Sequence, residues 1–508
     1  MSAIFHLATL SRTVTFLSAT EVFSNEGITT PIGVLPWVAL AIELLVRCAL
    51  VLFILGRKNR NSTTSLAWVV LIITLPIVGA LSYLLVGEAR LGKRRLARHR
   101  RIVTQTRNEG WTHGAKGLYP IIKKTLEPQA SLVESVGGFA LRGGNAVELI
   151  GDTDKCIASM VADIDQSVDH CHMLFYIMLG DSSGTAIAEA LIRAAQRGVE
   201  CRLLLDAVGS KALLAAPLVT DMRDAGVSVV SALPANLVRA ALSRLDLRNH
   251  RKVAVIDGQL AYTGSQNIAD AAFAPKPKFA PWVDAMLRIR GPAVRDLQEL
   301  FIEDWYLDSD ESLVHKMDID PPMIEDGVVM QIVPTGPGDH HEGLRLISQS
   351  AFHLAREEIQ LTTPYFVPAE PEVDALCVAA RRGVRTRLVV PARNDSPLVA
   401  AASRSRYEQL LEAGVEIYEY TKGLLHAKTM TIDRELAMVG TANFDRRSFE
   451  LNFEVSALLY DKDFAGQLRF LQRSYMSDSI QVDRNTWLKR GYMRRLSENA
   501  LGMFSPLL

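Results

Sequence analysis

Two imidazoles and two ammonium groups recur at a fixed spacing in this sequence. His250 and Lys252 stand two residues apart in Asn249-His250-Arg251-Lys252, and His426 and Lys428 repeat that spacing in Leu425-His426-Ala427-Lys428. Residues two apart on a β-strand share a face, so each copy presents an imidazole and an ammonium together. Asp257 and Asp433 follow five residues after the two lysines, and Gly264-Ser265-Gln266-Asn267 and Gly440-Thr441-Ala442-Asn443 close the two copies. The chain holds eleven histidines, so the pattern H-x-K-x-x-x-x-D is expected by chance on the order of a few hundredths of a time, and two copies are signal.

Displacement at a phosphodiester needs a nucleophile, a proton donor for the departing oxygen, and fixed positive charge for the non-bridging oxygens. Imidazoles supply the first two roles near neutral pH, and lysines supply the third. The candidate catalytic set is therefore His250, Lys252, Asp257, His426, Lys428 and Asp433, with Ser265, Asn267, Thr441 and Asn443 expected to hydrogen-bond the same phosphate. Within that set Asp257 and Asp433 sit at hairpin turns, where capping or pairing inside their own half outweighs contact with substrate. No carboxylate cluster with ligand spacing accompanies the histidines, so neither a metal nor another cofactor is expected.

Rigid elements must carry these groups. Residues 253–256 are β-branched and apolar, Asp257-Gly258 is a hairpin turn signal, and residues 260–263 return alongside. Upstream, residues 173–178 form an expected strand, 184–197 a helix and 198–205 a second strand. The second half repeats the order. Ala194-Ala195-Gln196-Arg197-Gly198-Val199 matches Ala379-Ala380-Arg381-Arg382-Gly383-Val384, and Ala225-Gly226-Val227 matches Ala413-Gly414-Val415. The soluble part is α/β, an internal duplication of a β-α-β unit in which each copy ends in a His-Lys hairpin. Two such lobes imply one shared site at their interface.

Composition narrows the class further. A chain of 508 residues is too long for one core. Lys plus Arg equals Asp plus Glu at 56 each, without the basic excess usual in nucleic-acid binders, and no nucleic-acid partner is expected. Five scattered cysteines with no C-x-x-C argue against a disulfide framework or zinc site, and point to a reducing compartment.

The N-terminal part looks different. Residues 4–17 are weakly apolar without a secretory cleavage pattern. Residues 34–55 are long and apolar enough to cross a bilayer, with Glu43 and Arg47 one turn apart and able to pair. Residues 66–86 form a second, uncharged apolar run whose Pro76 and Gly79 suit a membrane helix, and together the runs are expected to form a helical hairpin. Arg90, Lys93, Arg94, Arg95, Arg98, Arg100 and Arg101 follow, which by the positive-inside bias places the rest of the chain in the cytoplasm. This cluster serves topology, or also attracts anionic headgroups at about 1 kcal/mol per basic residue. Turn-rich segments at 318–327 and 334–338 mark a boundary between halves, and residues 233–246 are an insertion in one copy. Residues 487–495 read more readily as a helix packed on the second half than as one resting on lipid.

The two H-x-K-x-x-x-x-D motifs followed by G-S/T-x-N resemble the phospholipase D superfamily. The run from Leu66 to Glu88, Leu204-Leu205-Asp206-Ala207-Val208-Gly209-Ser210, Arg248-Asn249-His250-Arg251-Lys252 and the closing Ser505-Pro506-Leu507-Leu508 resemble bacterial cardiolipin synthases of that type. The resemblance implies an N-terminal segment (1–32), a transmembrane hairpin (33–90), a basic linker (91–117) and two pseudo-symmetric phospholipase D-type lobes of mixed sheet flanked by helices (118–325 and 326–508). It implies an enzyme of the bacterial inner membrane, multi-pass, with its lobes in the cytoplasm. Its substrates would be phosphatidylglycerol and other anionic phospholipids, with self-association left open. One histidine would attack phosphorus and the other move the proton, with His250 assigned as nucleophile and His426 as acid/base by similarity. Lys252, Lys428, Asn267 and Asn443 match phosphate-binding positions. A downstream carboxylate would orient each histidine, Asp284 for His250 and Glu454 for His426, fixing the tautomer and stabilising the imidazolium. A hydrolase using water on the same intermediate, or a transferase with another donor or acceptor, is the alternative; a scaffold without turnover fits poorly with two intact histidines.

Overall fold

The computed structural model describes residues 35–56, 62–87, 92–110, 119–234, 246–317, 321–337 and 342–502. The N-terminal segment 1–32, the polar turn at 57–61, Arg90, most of the 233–246 insertion and the closing 505–508 lie outside the described residues. The chain divides into two compact units, Met1–Ser82 and Tyr83–Leu508.

In the first unit, the helix Leu35–Leu55 contains the one span among the described residues, Pro36–Leu55, that is long and apolar enough to cross a membrane. Its two charges neutralise each other, since Arg47 and Glu43 form an ion pair at 2.5 Å across one helical turn. The second apolar run is divided into two helical pieces. It forms Ser62–Thr74 and Pro76–Val86, interrupted at Leu75. Pro76 cannot donate to the carbonyl a turn earlier and its ring clashes there, which breaks the helix. A Cβ on Gly79 would lie 2.6 Å from the Leu71 carbonyl oxygen, so glycine allows the two pieces to close on each other.

The second unit is organised on a sixteen-stranded sheet. Its first half supplies β1 (Arg142–Ile150), β2 (His170–Phe175), β3 (Glu200–Asp206), β4 (Ser228–Ala232), β5 (Arg248–Asn249), β6 (Lys252–Ile256), β7 (Leu260–Gly264), β8 (Trp282–Val283) and β9 (Met286–Arg290). The second half supplies β10 (Val328–Thr335), β11 (Glu358–Thr362), β12 (Phe366–Val367), β13 (Arg385–Pro391), β14 (Glu416–Tyr420), β15 (Leu424–Leu425), β16 (Thr429–Ile432), β17 (Leu436–Gly440), β18 (Phe444–Asp445), β19 (Asn452–Leu459) and β20 (Ser479–Gln481); of all these, β8 with β15 and β12 with β18 form two separate two-stranded ladders. β2 lies between parallel β3 and antiparallel β6, and β11 lies between parallel β13 and antiparallel β16, so the duplicated connectivity is present in the pairing. β1, β10 and β19 join the halves into one continuous sheet.

Each His-Lys copy runs into a tight hairpin. Asp257 and Gly258 have φ of 51° and 61°, and Asp433 and Arg434 have φ of 51° and 58°, the positive pair that a two-residue hairpin turn demands. Glycine meets that demand at the first turn. At the second, Arg434 adopts it while paired with Glu358 at 3.1 Å. Separate apolar cores lie in the two halves, and another draws Val253, Ala261 and Leu287 from the first half together with Leu425, Val439 and Val455 from the second. The two motifs are thus backed by shared core.

The basic stretch after the apolar runs forms the helix Lys93–Gly110, which packs on the helix Ala293–Ser309. Arg95 and Arg98 are paired with Asp308 and Asp310, so these two are committed to protein rather than to headgroups. At the other end of the chain, the helix Tyr492–Gly502 packs on Pro397–Ser405, and Arg490 lies 3.6 Å over the Trp487 ring, the packed arrangement expected for this stretch.

Candidate active site

His250 leaves β5 and enters β6, and its position is set by a strand of the other half. β5 runs parallel to the start of β19, pairing Asn249 with Phe453, and the His250 amide donates to the Phe453 carbonyl at 2.9 Å. The following residue, Glu454, then meets the imidazole, with Oε2 2.8 Å from Nδ1. The second copy mirrors this. β15 runs parallel to β8, the His426 amide donates to the Val283 carbonyl at 2.7 Å, and Asp284 Oδ1 lies 2.6 Å from His426 Nδ1. The carboxylates orient the histidines in crossed fashion, Glu454 with His250 and Asp284 with His426, which reverses the pairing expected within each copy. The reason is topological, because each histidine arm is hydrogen-bonded to the other half's carboxylate strand. With both Nδ1 atoms engaged, Nε2 is the ring nitrogen left for chemistry on each imidazole.

Ser265 and Thr441, expected to hydrogen-bond the phosphate, instead meet the two carboxylates here. The Ser265 hydroxyl donates to Asp284 Oδ1 at 2.6 Å and accepts from the Ala285 amide at 2.9 Å. Thr441 does the same with Glu454 Oε2 at 2.6 Å and the Val455 amide at 2.9 Å. A hydroxyl carries one proton, and here it is used to hold the orienting carboxylate. Asn267 Oδ1 accepts from the Ile177 amide at 3.3 Å, which leaves its Nδ2 as a donor. Asn443 is buried, and its Oδ1 has no partner among the described residues.

Asp257 and Asp433, placed in the candidate catalytic set, bond to backbone amides within their own halves. The Asp257 carboxylate accepts from the amides of Val168, Asp169 and His170, and Asp433 accepts from those of Arg356, Glu357 and Glu358. Each ties its hairpin turn to the start of β2 or β11, at the opposite end of β6 or β16 from the lysine.

Both lysines are buried, and each Nζ is steadied by its own histidine's carbonyl, at 2.8 Å for Lys252 and 2.6 Å for Lys428. Burial lowers Lys252 to about 8 and Lys428 to about 7. Burial first, with the lysine charges adding to it, holds both histidines at about 4, against the pull of their carboxylates. Burial alone would raise Asp284 and Glu454, but the opposing attraction of histidine and lysine and the hydroxyl bonds hold both at about 2. Lys428 acts on His250 and Lys252 on His426, so the four groups form a single electrostatic site.

A family model described as "Cardiolipin synthase, PLD-like domain" matches residues 160–305 and 349–471, and one described as "Phospholipase_D-nuclease N-terminal" matches 39–88. A cardiolipin synthase A from Erwinia tasmaniensis is 38% identical over 459 residues, 89% of this chain and 94% of the relative. The chain belongs to the phospholipase D-type cardiolipin synthases. A second such synthase, from Escherichia fergusonii, is 37% identical over 94% of this chain and 100% of its own length. A phosphatidylserine synthase from Haemophilus influenzae shares the fold, with a TM-score of 0.57, at 14% identity over 76% of this chain and 98% of that one.

The two segments matched to the cardiolipin synthase domain hold both histidines, both lysines and both orienting carboxylates. Sequence reasoning missed several groups around them. Tyr176 presents its ring 4.8 Å from the His250 ring and lies 5.4 Å from Lys252 Nζ, while the Trp282 ring lies 4.6 Å from that of His426. Trp282 precedes the carboxylate already singled out and was within reach of that signal; Tyr176, just past β2, carried none. Among the described residues, no group of three or more His, Cys, Asp or Glu could hold a metal ion.

Proposed function

We propose that the protein transfers a phosphatidyl group from one phosphatidylglycerol to another, forming cardiolipin and releasing glycerol. His250 Nε2 attacks phosphorus, the P–O bond to the departing glycerol breaks, and His426 protonates that oxygen. A hydroxyl of the second phosphatidylglycerol then attacks the phosphatidyl-histidine, its proton passes to His426, and the P–N bond breaks to restore His250. Lys252 and Lys428, with the amides of Asn267 and Asn443, hold the non-bridging oxygens. A bound phosphodiester anion offsets the two ammonium charges that depress His426, so substrate itself favours the imidazolium needed to protonate the leaving group.

The observation that supports this reading is the crossed pair of His–carboxylate contacts, in which each half's imidazole meets a carboxylate of the other half. The same reading takes residues 118–325 and 326–508 as pseudo-symmetric lobes, 33–90 as a membrane hairpin, 91–117 as the linker and 1–32 as a separate N-terminal segment. It places the enzyme in a bacterial inner membrane as a multi-pass protein, its lobes in the cytoplasm. Mass spectrometry of membrane lipids after expression in a cardiolipin-deficient bacterium tests it. Wild-type protein yields cardiolipin, and His250→Ala or His426→Ala abolishes it at equal expression. Phosphatidic acid in place of cardiolipin would instead make the protein a hydrolase.

A further inference from the structure

We infer that the helix Lys93–Gly110 is a positioning element of the catalytic centre, acting through Arg95 on Phe453. Phe453 is the residue whose carbonyl holds the His250 amide at 2.9 Å, and its neighbour Glu454 orients the ring. Two guanidinium groups lie over the Phe453 ring, Arg251 at 5.5 Å and Arg95 at 6.0 Å from its centre. Both are anchored on one helix, Ala293–Ser309. Asp304 takes Arg251 at 2.7 Å, and Asp308 takes Arg95 through two bonds of 2.7 and 2.9 Å. Arg251 also donates to the Glu454 carbonyl at 3.0 Å and to the Thr335 carbonyl at 3.3 Å. Gly336 leaves room for the ring, since a Cβ there would lie 2.7 Å from it.

The Arg95 side chain is 13% exposed and its Asp308 partner 1%, so the pair is fixed in the body of the unit rather than offered to solvent. A bidentate guanidinium–carboxylate pair is directional, and movement of Arg95 is therefore felt at the ring it covers. The His426 side lacks this device, because the residue equivalent to Phe453 is Val283. The basic helix that follows the apolar N-terminal run thus contributes a wall to one of the two histidine arms, a role that its charge alone does not suggest. Arg98 on the same helix is the internal control. It donates to the Tyr306 carbonyl at 2.9 Å and pairs with Asp310 at 2.5 Å, so it docks the helix through other partners.

The role of Arg95 presupposes that His250 reacts, as proposed for the transfer, and two readouts separate the claims. In full-length protein, Arg95→Gln lowers kcat for cardiolipin formation roughly 10- to 100-fold with KM unchanged, the size expected when a reacting group is misplaced by a distant change. It also speeds amide hydrogen exchange in the peptide 248–254, while exchange in β13 stays as in wild type. Arg98→Gln, at a half-buried side chain whose partners are Asp310 and the Tyr306 carbonyl, leaves kcat and the 248–254 exchange within about twofold. Unchanged exchange at 248–254 in Arg95→Gln, a rise spread equally over β13, or an equal effect of Arg98→Gln would each overturn the positioning role. Wild-type protein that forms no cardiolipin would defeat the functional reading, while the exchange comparison would still decide the role of Arg95.

Discussion

Replacing Glu454 with Gln isolates the charge on the carboxylate that faces His250. Glu454 Oε2 receives His250 Nδ1 at 2.8 Å and the Thr441 hydroxyl at 2.6 Å, while Oε1 receives Asn452 Nδ2 at 3.2 Å. A glutamine can keep its oxygen toward His250 and Thr441 and turn its amide to Asn452. Asn452 Oδ1 has no partner among the described residues, so a flip of that amide restores a donor–acceptor match. Shape and hydrogen bonds survive, and one negative charge is lost. For an imidazolium roughly 4 Å away at an effective dielectric of 20, that charge contributes about 4 kcal/mol. Since the histidine gains positive charge only as it reacts, most of this appears in the barrier, a loss of about 10²- to 10³-fold in kcat. The assay is initial-rate cardiolipin formation by purified enzyme in phosphatidylglycerol vesicles. A thermal-stability double-mutant cycle tests the crossing itself. Glu454→Gln couples to His250→Ala by about 0.5–3 kcal/mol and to His426→Ala by far less. A Glu454→Gln enzyme within threefold of wild type, or coupling to His426 instead, would refute the assignment.

Three further outcomes follow from the same contacts. Asp257→Ala strips three amides of their acceptor and should lower stability by about 1–3 kcal/mol, read as a drop in thermal midpoint, while kcat of the folded fraction stays within twofold; a hundredfold loss of kcat at unchanged midpoint would return Asp257 to the catalytic set. Thr441→Val removes the hydroxyl that holds Glu454 and should lower kcat about tenfold with KM for lipid unchanged; a rise in KM alone would make Thr441 a substrate contact after all. Burial holds His250 and His426 at about 4 when folded, against 6.5 for the free side chain, so between those values the unfolded chain binds more protons. Stability should therefore fall as pH is lowered from about 6.5 to 4, by on the order of 3 kcal/mol per imidazole, in urea unfolding of wild type and to a lesser extent in His250→Ala.

The parts of the site that depend on local spacing were legible in the sequence. A period of two puts His and Lys on one face, a turn dipeptide folds the strand back, and the repeated Ala-Gly-Val and Arg-Gly-Val stretches reveal the duplication. What escaped was any contact made at long range. Glu454 lies 204 residues from His250 in the chain and Asp284 lies 142 from His426, and only the exchange of the β5 and β15 arms between halves decides which carboxylate meets which ring. The carboxylate partners of Ser265 and Thr441 escaped for a related reason. A hydroxyl close to a phosphate site reads as a phosphate ligand until the carboxylate occupying its proton is located. Hydropathy registers side-chain polarity and does not show the helix break before Pro76, which is a backbone event. Arg95 looked like surface charge because its partner, Asp308, lies 213 residues away.

The central claim is that His250 and His426 serve one phosphorus. Vanadate, a mimic of the five-coordinate phosphorus of the transfer step, tests this most directly when bound to the full chain and located by crystallography or electron microscopy. The account predicts one vanadate per chain, bonded to Nε2 of one histidine, within hydrogen-bond distance of Nε2 of the other, and contacted by Lys252 and Lys428. Two separate vanadate sites, or one that touches a single histidine while the other ring faces a different cavity, would contradict it.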